Sequence, residues 1–169
     1  MNDQPPPPKR TFKNYWPLFA LILVAYLAAS AIYFPQPKNI IYLMHYFMGF
    51  FLCTFSLLKL FNPRQFADGY QMYDLVAKRS RAYAFCYPFI ELGLGLAYLA
   101  FFIPWLTYLV TIIIMTISAI GVIKTLRQGL DLRCACMGTV LDVPLSTVTL
   151  TEDIGMGLLA FIMMLLTIF

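Results

Sequence analysis

The chain alternates between long apolar runs and short polar intervals, and this pattern predicts helices that cross a membrane. A spanning helix needs about 20 predominantly apolar residues, and five runs approach or reach that length. A proline-rich turn, two polar intervals and a tight turn at Pro104 separate them. The predicted spans are residues 15–34, 40–58, 82–103, 105–123 and 148–169. The expected fold class is therefore all-α, a polytopic membrane helical bundle of about five helices.

Composition agrees with lipid as the solvent of most of this chain. Apolar residues make up 61% and charged residues 12%, with a mean hydropathy of +0.76, whereas soluble domains average roughly 45–50% and about 25%. This excludes a globular enzyme with its own water-soluble core. The single histidine, His45, excludes a site built on several histidines. Residues 1–14, which contain four consecutive prolines, are expected to form a disordered tail, and 15–169 one transmembrane domain.

The distribution of basic residues predicts the orientation. With five spans, eleven of the twelve Lys and Arg residues fall on one side of the membrane and Lys38 on the other. Short basic loops stay in the cytoplasm, so the N-terminus is expected there. Two alternatives stay open. The first run has a stretch, 28–31, that weakly resembles a signal-peptide cleavage site, and the last could be a re-entrant helix, because Glu152 and Asp153 near its start are costly in hydrocarbon.

Cys134-Ala135-Cys136 is the most informative local motif. Two thiols two positions apart can converge on one soft ion or form a strained, easily reduced disulfide. The adjacent Arg133 favours the thiolate, the form that attacks disulfides and binds metals. A permanent structural disulfide is not expected in a cytoplasmic loop. The pair is therefore a candidate redox or metal site, and the alternative is two incidental loop cysteines.

Glu91 lies near the middle of the third predicted span, where an ionised carboxylate costs at least ~2.5 kcal/mol. We expect it to face the bundle interior, either as a proton relay or cation site, or as a neutral acid that hydrogen-bonds a neighbouring helix. Gly93 and Gly95 follow it and favour close helix approach.

A second set of residues suggests metal handling. His45 and Met48 share a helix face and could form a soft-metal path, although a buried histidine is more often a packing residue. Glu152 or Asp153 could line a cation path with Met156. The expected role of Cys53 and Cys86 is packing.

The interval 62–81 has aromatic residues at helical spacing, Phe66, Tyr70 and Tyr73, among charged ones. This predicts a short helix on the membrane surface whose aromatic stripe docks at headgroup depth while the nearby basic residues meet anionic lipid. Nothing in the sequence indicates nucleic-acid binding.

Several motifs taken together resemble the MauE/DoxX family of bacterial membrane proteins. They are the stretches 66–79 (FADGYQMYDLVAKR), 87–95 (YPFIELGLG) and 134–139 (CACMGT), with 144–147 (PLST) and Glu152-Asp153. The resemblance implies a compact helical bundle in the bacterial inner membrane that associates with redox partners, and, in the methylamine-utilisation branch, maturation or export of a disulfide-rich periplasmic subunit. The C-x-C motif in place of C-x-x-C argues against quinone-linked disulfide formation.

Two functional hypotheses follow. In the first, Cys134 and Cys136 exchange electrons with a thiol partner protein in an oxidoreductase-like reaction, and Glu91 moves or holds a proton. In the second, His45, Met48 and Glu91 line a path for a soft metal such as copper, and the cysteines accept it. A purely structural membrane subunit is the third alternative. No cofactor is implied with certainty.

Overall fold

The helices are long and lie where the apolar runs predict them. The computed structural model describes residues 16–35, 39–127 and 145–168. Within these ranges every regular element is helical: α1 (Trp16–Tyr33), α2 (Ile40–Phe61), α3 (Pro63–Tyr70), α4 (Arg81–Leu99), α5 (Pro104–Arg127) and α6 (Leu145–Ile168). The all-α prediction is confirmed.

Four of the helices, α2, α4, α5 and α6, are long and apolar enough to cross a membrane, and α1 supplies a shorter apolar helix over Leu18–Tyr33. The C-terminal helix is continuous over 24 residues, so its length favours the spanning alternative over the re-entrant one. Among the long helices that the structure describes, α1 is the shortest, with 18 residues.

Side-chain caps fix where the helices begin. The Asn39 side chain accepts a hydrogen bond from the Ile41 amide at 3.0 Å, and the Ser80 hydroxyl accepts one from the Tyr83 amide at 3.3 Å. Asn62 caps α3, with proline at its first position. Such caps satisfy amides that have no partner within the helix. The first residue of each of these helices is therefore set by its cap and not only by the change from polar to apolar sequence.

The bundle consists of two closely packed helix pairs. The most extensive contacts are between α5 and α6, followed by those between α2 and α4, while α4–α5 and α2–α6 contacts join the pairs. Helix α1 packs against α2. The α2–α4 crossing is close because of glycine: a Cβ on Gly95 would lie 2.7 Å from Cys53 Sγ and 2.9 Å from the Cys53 amide nitrogen. A Cβ on Gly93 would meet nothing within 4 Å.

The polar interval after α2 differs from its prediction. A short helix does form at Pro63–Tyr70, but Phe66, Tyr70 and Tyr73 are buried against the bundle rather than turned toward lipid. Tyr73 lies beyond the helix, in a turn that Asp74 organises. Asp74 Oδ1 accepts the amides of residues 76 and 77 at 2.8 Å, and Oδ2 accepts the Tyr70 hydroxyl at 3.1 Å.

Two physical causes hold this segment inward. Burial raises the pKa of Tyr70 well above its usual value. The phenol therefore stays protonated and donates a hydrogen bond to Asp74 Oδ2. Gly121 of α5 allows the turn to approach, because a Cβ there would lie 2.6 Å from the Tyr73 carbonyl oxygen. The segment 63–80 therefore covers one end of the bundle.

Replacing Gly95 should therefore destabilise the fold, whereas replacing Gly93 should not. We expect Gly95→Ala to lower the free energy of unfolding by about 1–3 kcal/mol, because the added methyl group must displace the backbone of α2. The measurement is denaturant unfolding in detergent micelles. Gly93→Ala is the matched control, and an equal loss in both variants would contradict the close approach at Gly95.

Candidate functional site

A lysine and two glutamates from three helices meet inside the bundle. Lys59 Nζ of α2 donates to both carboxylate oxygens of Glu91 on α4 at 2.7 Å and to Glu152 Oε1 on α6 at 2.9 Å. Their exposed fractions are 3%, 2% and 2%. The expectation that Glu91 faces the bundle interior is correct, and we call this trio the buried charge cluster.

Aromatic rings surround the ammonium group. Its nitrogen lies 5.2 Å from the ring centroid of Tyr87 and 5.9 Å from those of Phe55 and Phe66. Ring faces attract cations, most strongly where water is absent. The aromatic residue Phe66, expected at the lipid headgroups, thus contributes to the wall of an internal site.

The charges of the cluster do not balance when every group is ionised. One ammonium faces two carboxyl groups, and Glu152 Oε2 is buried with no hydrogen-bond partner among the described residues. An uncompensated charge in a low-dielectric interior is very costly. The electrically neutral state therefore carries one proton on the two glutamates, and the cluster is suited to holding and releasing a proton.

Two of the three residues depart from their predicted places. Lys59 was expected in the polar interval beyond the second span, but α2 continues to Phe61 and carries Lys59 inward. Glu152 and Asp153 were expected in the first turns of a helix starting near residue 148, but α6 begins at Leu145, so both acids lie about two turns inside and are buried. When Lys59 is left out of the count of basic residues on the two predicted sides of the membrane, ten Lys and Arg residues remain on one side and Lys38 on the other.

One signal in the sequence could have revealed Lys59. Buried residues of α2 recur every three or four positions, which is the spacing of one helix face. The same spacing continued from Phe55 reaches Lys59. The members of this face are His45, Met48, Leu52, Phe55 and Lys59. A lysine in register with an apolar stripe predicts a buried partner of opposite charge.

His45 lies in a separate network near the other end of the same helix. Its Nδ1 lies 3.1 Å from the Tyr98 carbonyl oxygen, and its Nε2 contacts the Tyr108 hydroxyl. Because a carbonyl only accepts, Nδ1 carries the proton, and in the neutral ring Nε2 accepts from Tyr108. Phe101 stacks on the imidazole with centroids 4.4 Å apart. Both ring nitrogens thus have protein partners, as in a packing histidine.

The other predicted metal ligands within the described residues lie on α2 and α6. Met48 is buried on α2 and Met156 on α6. Across the described residues, no three His, Cys, Asp or Glu side chains form a group that could hold a metal ion. Metal handling stays a prediction.

The cysteines divide into two groups. Cys134 and Cys136, the predicted redox pair and alternative metal ligands, lie outside the described residues, in the segment that joins α5 to α6. Cys53 is half-buried at the α2–α4 crossing, consistent with packing, whereas Cys86 is exposed on α4. The expectation of a packing role for Cys86 is therefore wrong.

These features define a polytopic helical membrane protein with a charge cluster buried among its spans. The chain belongs to the family described as methylamine utilisation protein MauE, whose pattern matches residues 37–168. The match covers α2 to α6, and with them the whole charge cluster, and it leaves out α1. No curated protein and no solved structure gives a significant match.

Removing the ammonium group alone should destabilise the fold. We expect Lys59→Met to lower the free energy of unfolding at neutral pH by about 3–5 kcal/mol, because two buried carboxyl groups lose their partner. The loss should shrink in acidic buffer, where both carboxyl groups can be protonated. Replacing both glutamates by glutamine as well should restore most of the stability.

Unfolding in detergent across a pH series measures this effect. Lys78→Met is the matched control: Lys78 is exposed, and its replacement should change stability by no more than about 0.5 kcal/mol. Equal behaviour of the two lysine variants would show that Lys59 is not the partner of the glutamates.

The His45 network predicts a second stability effect. Tyr108→Phe should lower the free energy of unfolding by about 1–3 kcal/mol, because His45 Nε2 loses its donor in a buried site. Tyr26→Phe serves as the control, since Tyr26 is half exposed on α1. Thermal unfolding in micelles compares the two, and an unchanged Tyr108→Phe variant would rule out the hydrogen bond.

Proposed function

We propose that this MauE-family protein carries out thiol–disulfide exchange with a partner protein at the bacterial inner membrane. Cys134 and Cys136 form the exchanging pair, and Glu91 with Glu152 forms the proton-holding site. The observation that carries the proposal is the buried charge cluster, because ionisable groups inside membrane spans are expensive and mark ion or proton pathways.

The cluster is linked to the cysteines through the chain. Glu152 lies about two turns into α6, the helix that directly follows the cysteine segment. A change in the cysteine segment can therefore reach the acid through a single helix. The family match over residues 37–168 includes both the cluster and the segment.

The exchange conserves electrons and protons. One cysteine thiolate attacks a partner disulfide, forming a mixed disulfide and releasing one partner thiolate; the second cysteine then displaces the other. The pair is oxidised to a disulfide and the partner is reduced to two thiols. The two protons lost by the pair end on the partner thiols, and a carboxylate of the cluster can hold one of them between the two steps.

The orientation is part of the proposal. The N-terminus and both polar intervals face the cytoplasm, since ten basic residues on that side oppose Lys38 on the other. The partner disulfide must then be accessible from the cytoplasmic side. A membrane-impermeant thiol reagent applied to intact spheroplasts should leave Cys134 and Cys136 unmodified.

Trapping the thiols in cells tests the exchange. After oxidant treatment and recovery, alkylation should show Cys134 and Cys136 passing reversibly between dithiol and disulfide. Glu91→Gln should slow the recovery at least about tenfold, since each tenfold reflects about 1.4 kcal/mol of barrier. The matched controls are Asp68→Asn, which neutralises an exposed acid, and Cys86→Ala, which removes an exposed thiol.

Each alternative has its own outcome. A pair that stays reduced throughout, with a Cys134→Ala and Cys136→Ala double variant that behaves as the parent, contradicts the exchange and favours a structural subunit. A permanently reduced pair in protein purified with bound copper contradicts it in favour of metal handling.

A further inference from the structure

Helix α5 buries a line of hydroxyl groups, and the two halves of that line differ. Thr107 donates to the Phe102 carbonyl and Thr111 to the Thr107 carbonyl, both at 2.8 Å. Ser118 Oγ and Thr125 Oγ1 are equally buried but have no hydrogen-bond partner among the described residues.

This difference has a physical meaning. A serine or threonine inside a helix can bond to a carbonyl one turn back, as Thr111 does, and a buried hydroxyl without any partner costs roughly 1–3 kcal/mol. Buried polar groups of this kind are ordinarily satisfied by internal water with two to four polar neighbours. Ser118 and Thr125 are therefore candidate positions for internal water.

The packing of α5 on α6 brings Ser118 to the level of the buried acids on α6. A Cβ on Gly157 of α6 would lie 3.5 Å from Met115 Cβ of α5. The contact fixes the register of the two helices, and because they run antiparallel, one turn further along each lie Ser118 and Asp153. Glu152, the residue before Asp153, contacts Lys59 through Oε1, while its buried Oε2 has no hydrogen-bond partner among the described residues.

The line continues toward the end of the helix pair that carries the cysteine segment. Thr125 follows Ser118 by seven residues, two turns on the same face of α5, and lies two residues before the end of that helix at Arg127. On α6, buried Thr149 lies one turn from Asp153 toward the same end.

We propose that Ser118, Thr125 and Glu152 Oε2 hold a short file of water between α5 and α6, and that this file carries protons between the Glu91–Glu152 pair and the end of the helix pair at Arg127. One proton enters Glu152 from the file as the water at the far end takes one up, or the reverse, and no electrons move. The inference deepens the proposed function, on which its biological use rests.

The presence of water is tested by radiolytic labelling. Microsecond X-ray pulses in ¹⁸O-water generate hydroxyl radicals from bound water, and these label adjacent side chains even where bulk solvent has no access. In protein in nanodiscs, Met115 and Val122 should take up label, whereas Met163, equally buried on α6 but away from this line, should take up little.

Variants with and without the hydroxyl groups assign the label. Ser118→Ala with Thr125→Val should reduce labelling of Val122 at least about tenfold, a change in water occupancy worth about 1.4 kcal/mol. Ser118→Thr with Thr125→Ser keeps both hydroxyl groups and should retain the label. Thr116→Val is the matched control, because Thr116 is exposed on the opposite face of α5. Absence of label in the parent protein would overturn the proposal.

The transfer of protons is tested by infrared spectroscopy after transfer into D₂O. The parent protein should show a protonated carboxyl band that Glu152→Gln changes, and the band should shift to its deuterated position at least about tenfold more slowly in the hydroxyl-free double variant. A parent protein without such a band, or equal exchange rates in both, would overturn the proton route.

The two proposals can fail separately. If labelling and deuterium exchange occur as expected but the cysteines never change oxidation state, the water file is supported and the thiol exchange is contradicted. Reversible cysteine oxidation in a protein with no label at Met115 or Val122 would do the opposite.

Discussion

A single ammonium group held between two carboxyl groups is the interaction on which this bundle depends. In hydrocarbon an isolated charge is very costly, so Lys59 can be accommodated only where partners from other helices reach it. Glu91 and Glu152 reach it from α4 and α6 at 2.7 and 2.9 Å. The need to neutralise Lys59 thus favours the arrangement in which the faces of α2, α4 and α6 that carry these three residues meet. The glycine contact at the α2–α4 crossing permits the close approach of Lys59 and Glu91.

The same interaction connects stability to chemistry. Two acids sharing one base hold a proton whose gain or loss changes the net charge of the cluster by one unit. In the function proposed above, this site holds a proton released as the cysteine pair is oxidised until the partner thiols take it up. The rings of Tyr87 and Phe55 flank the ammonium group, with centroids 5.2 and 5.9 Å from its nitrogen.

Hydropathy alone predicted the class of fold, the number of long helices and the inward orientation of Glu91, because each follows from segment length or from the cost of a charge in lipid. It could not place Lys59, since a lysine at the end of an apolar run has the same composition whether it meets headgroups or a buried acid. The start of α6 was missed for a related reason: residues 145–148 (LSTV) include two polar residues and do not look like the interior of a helix, although the helix begins there. The inward packing of Phe66 and Tyr70 depends on the Asp74 turn and on Gly121, which are contacts between distant parts of the chain.

Helix α1 stands apart from the family match and packs against α2 alone among the extensive helix contacts. The remaining four long helices are each long and apolar enough to cross a membrane, and four crossings are an even number. Even parity places the segment before α2 and the end of α6 on one face of the membrane, and the α3 segment together with the α5–α6 connection on the other. The extra helix therefore sets only where the first residues emerge. In the orientation proposed above, the four-helix unit therefore sets the side of the α5–α6 connection, and a chain shortened to that unit should keep the connection on that side.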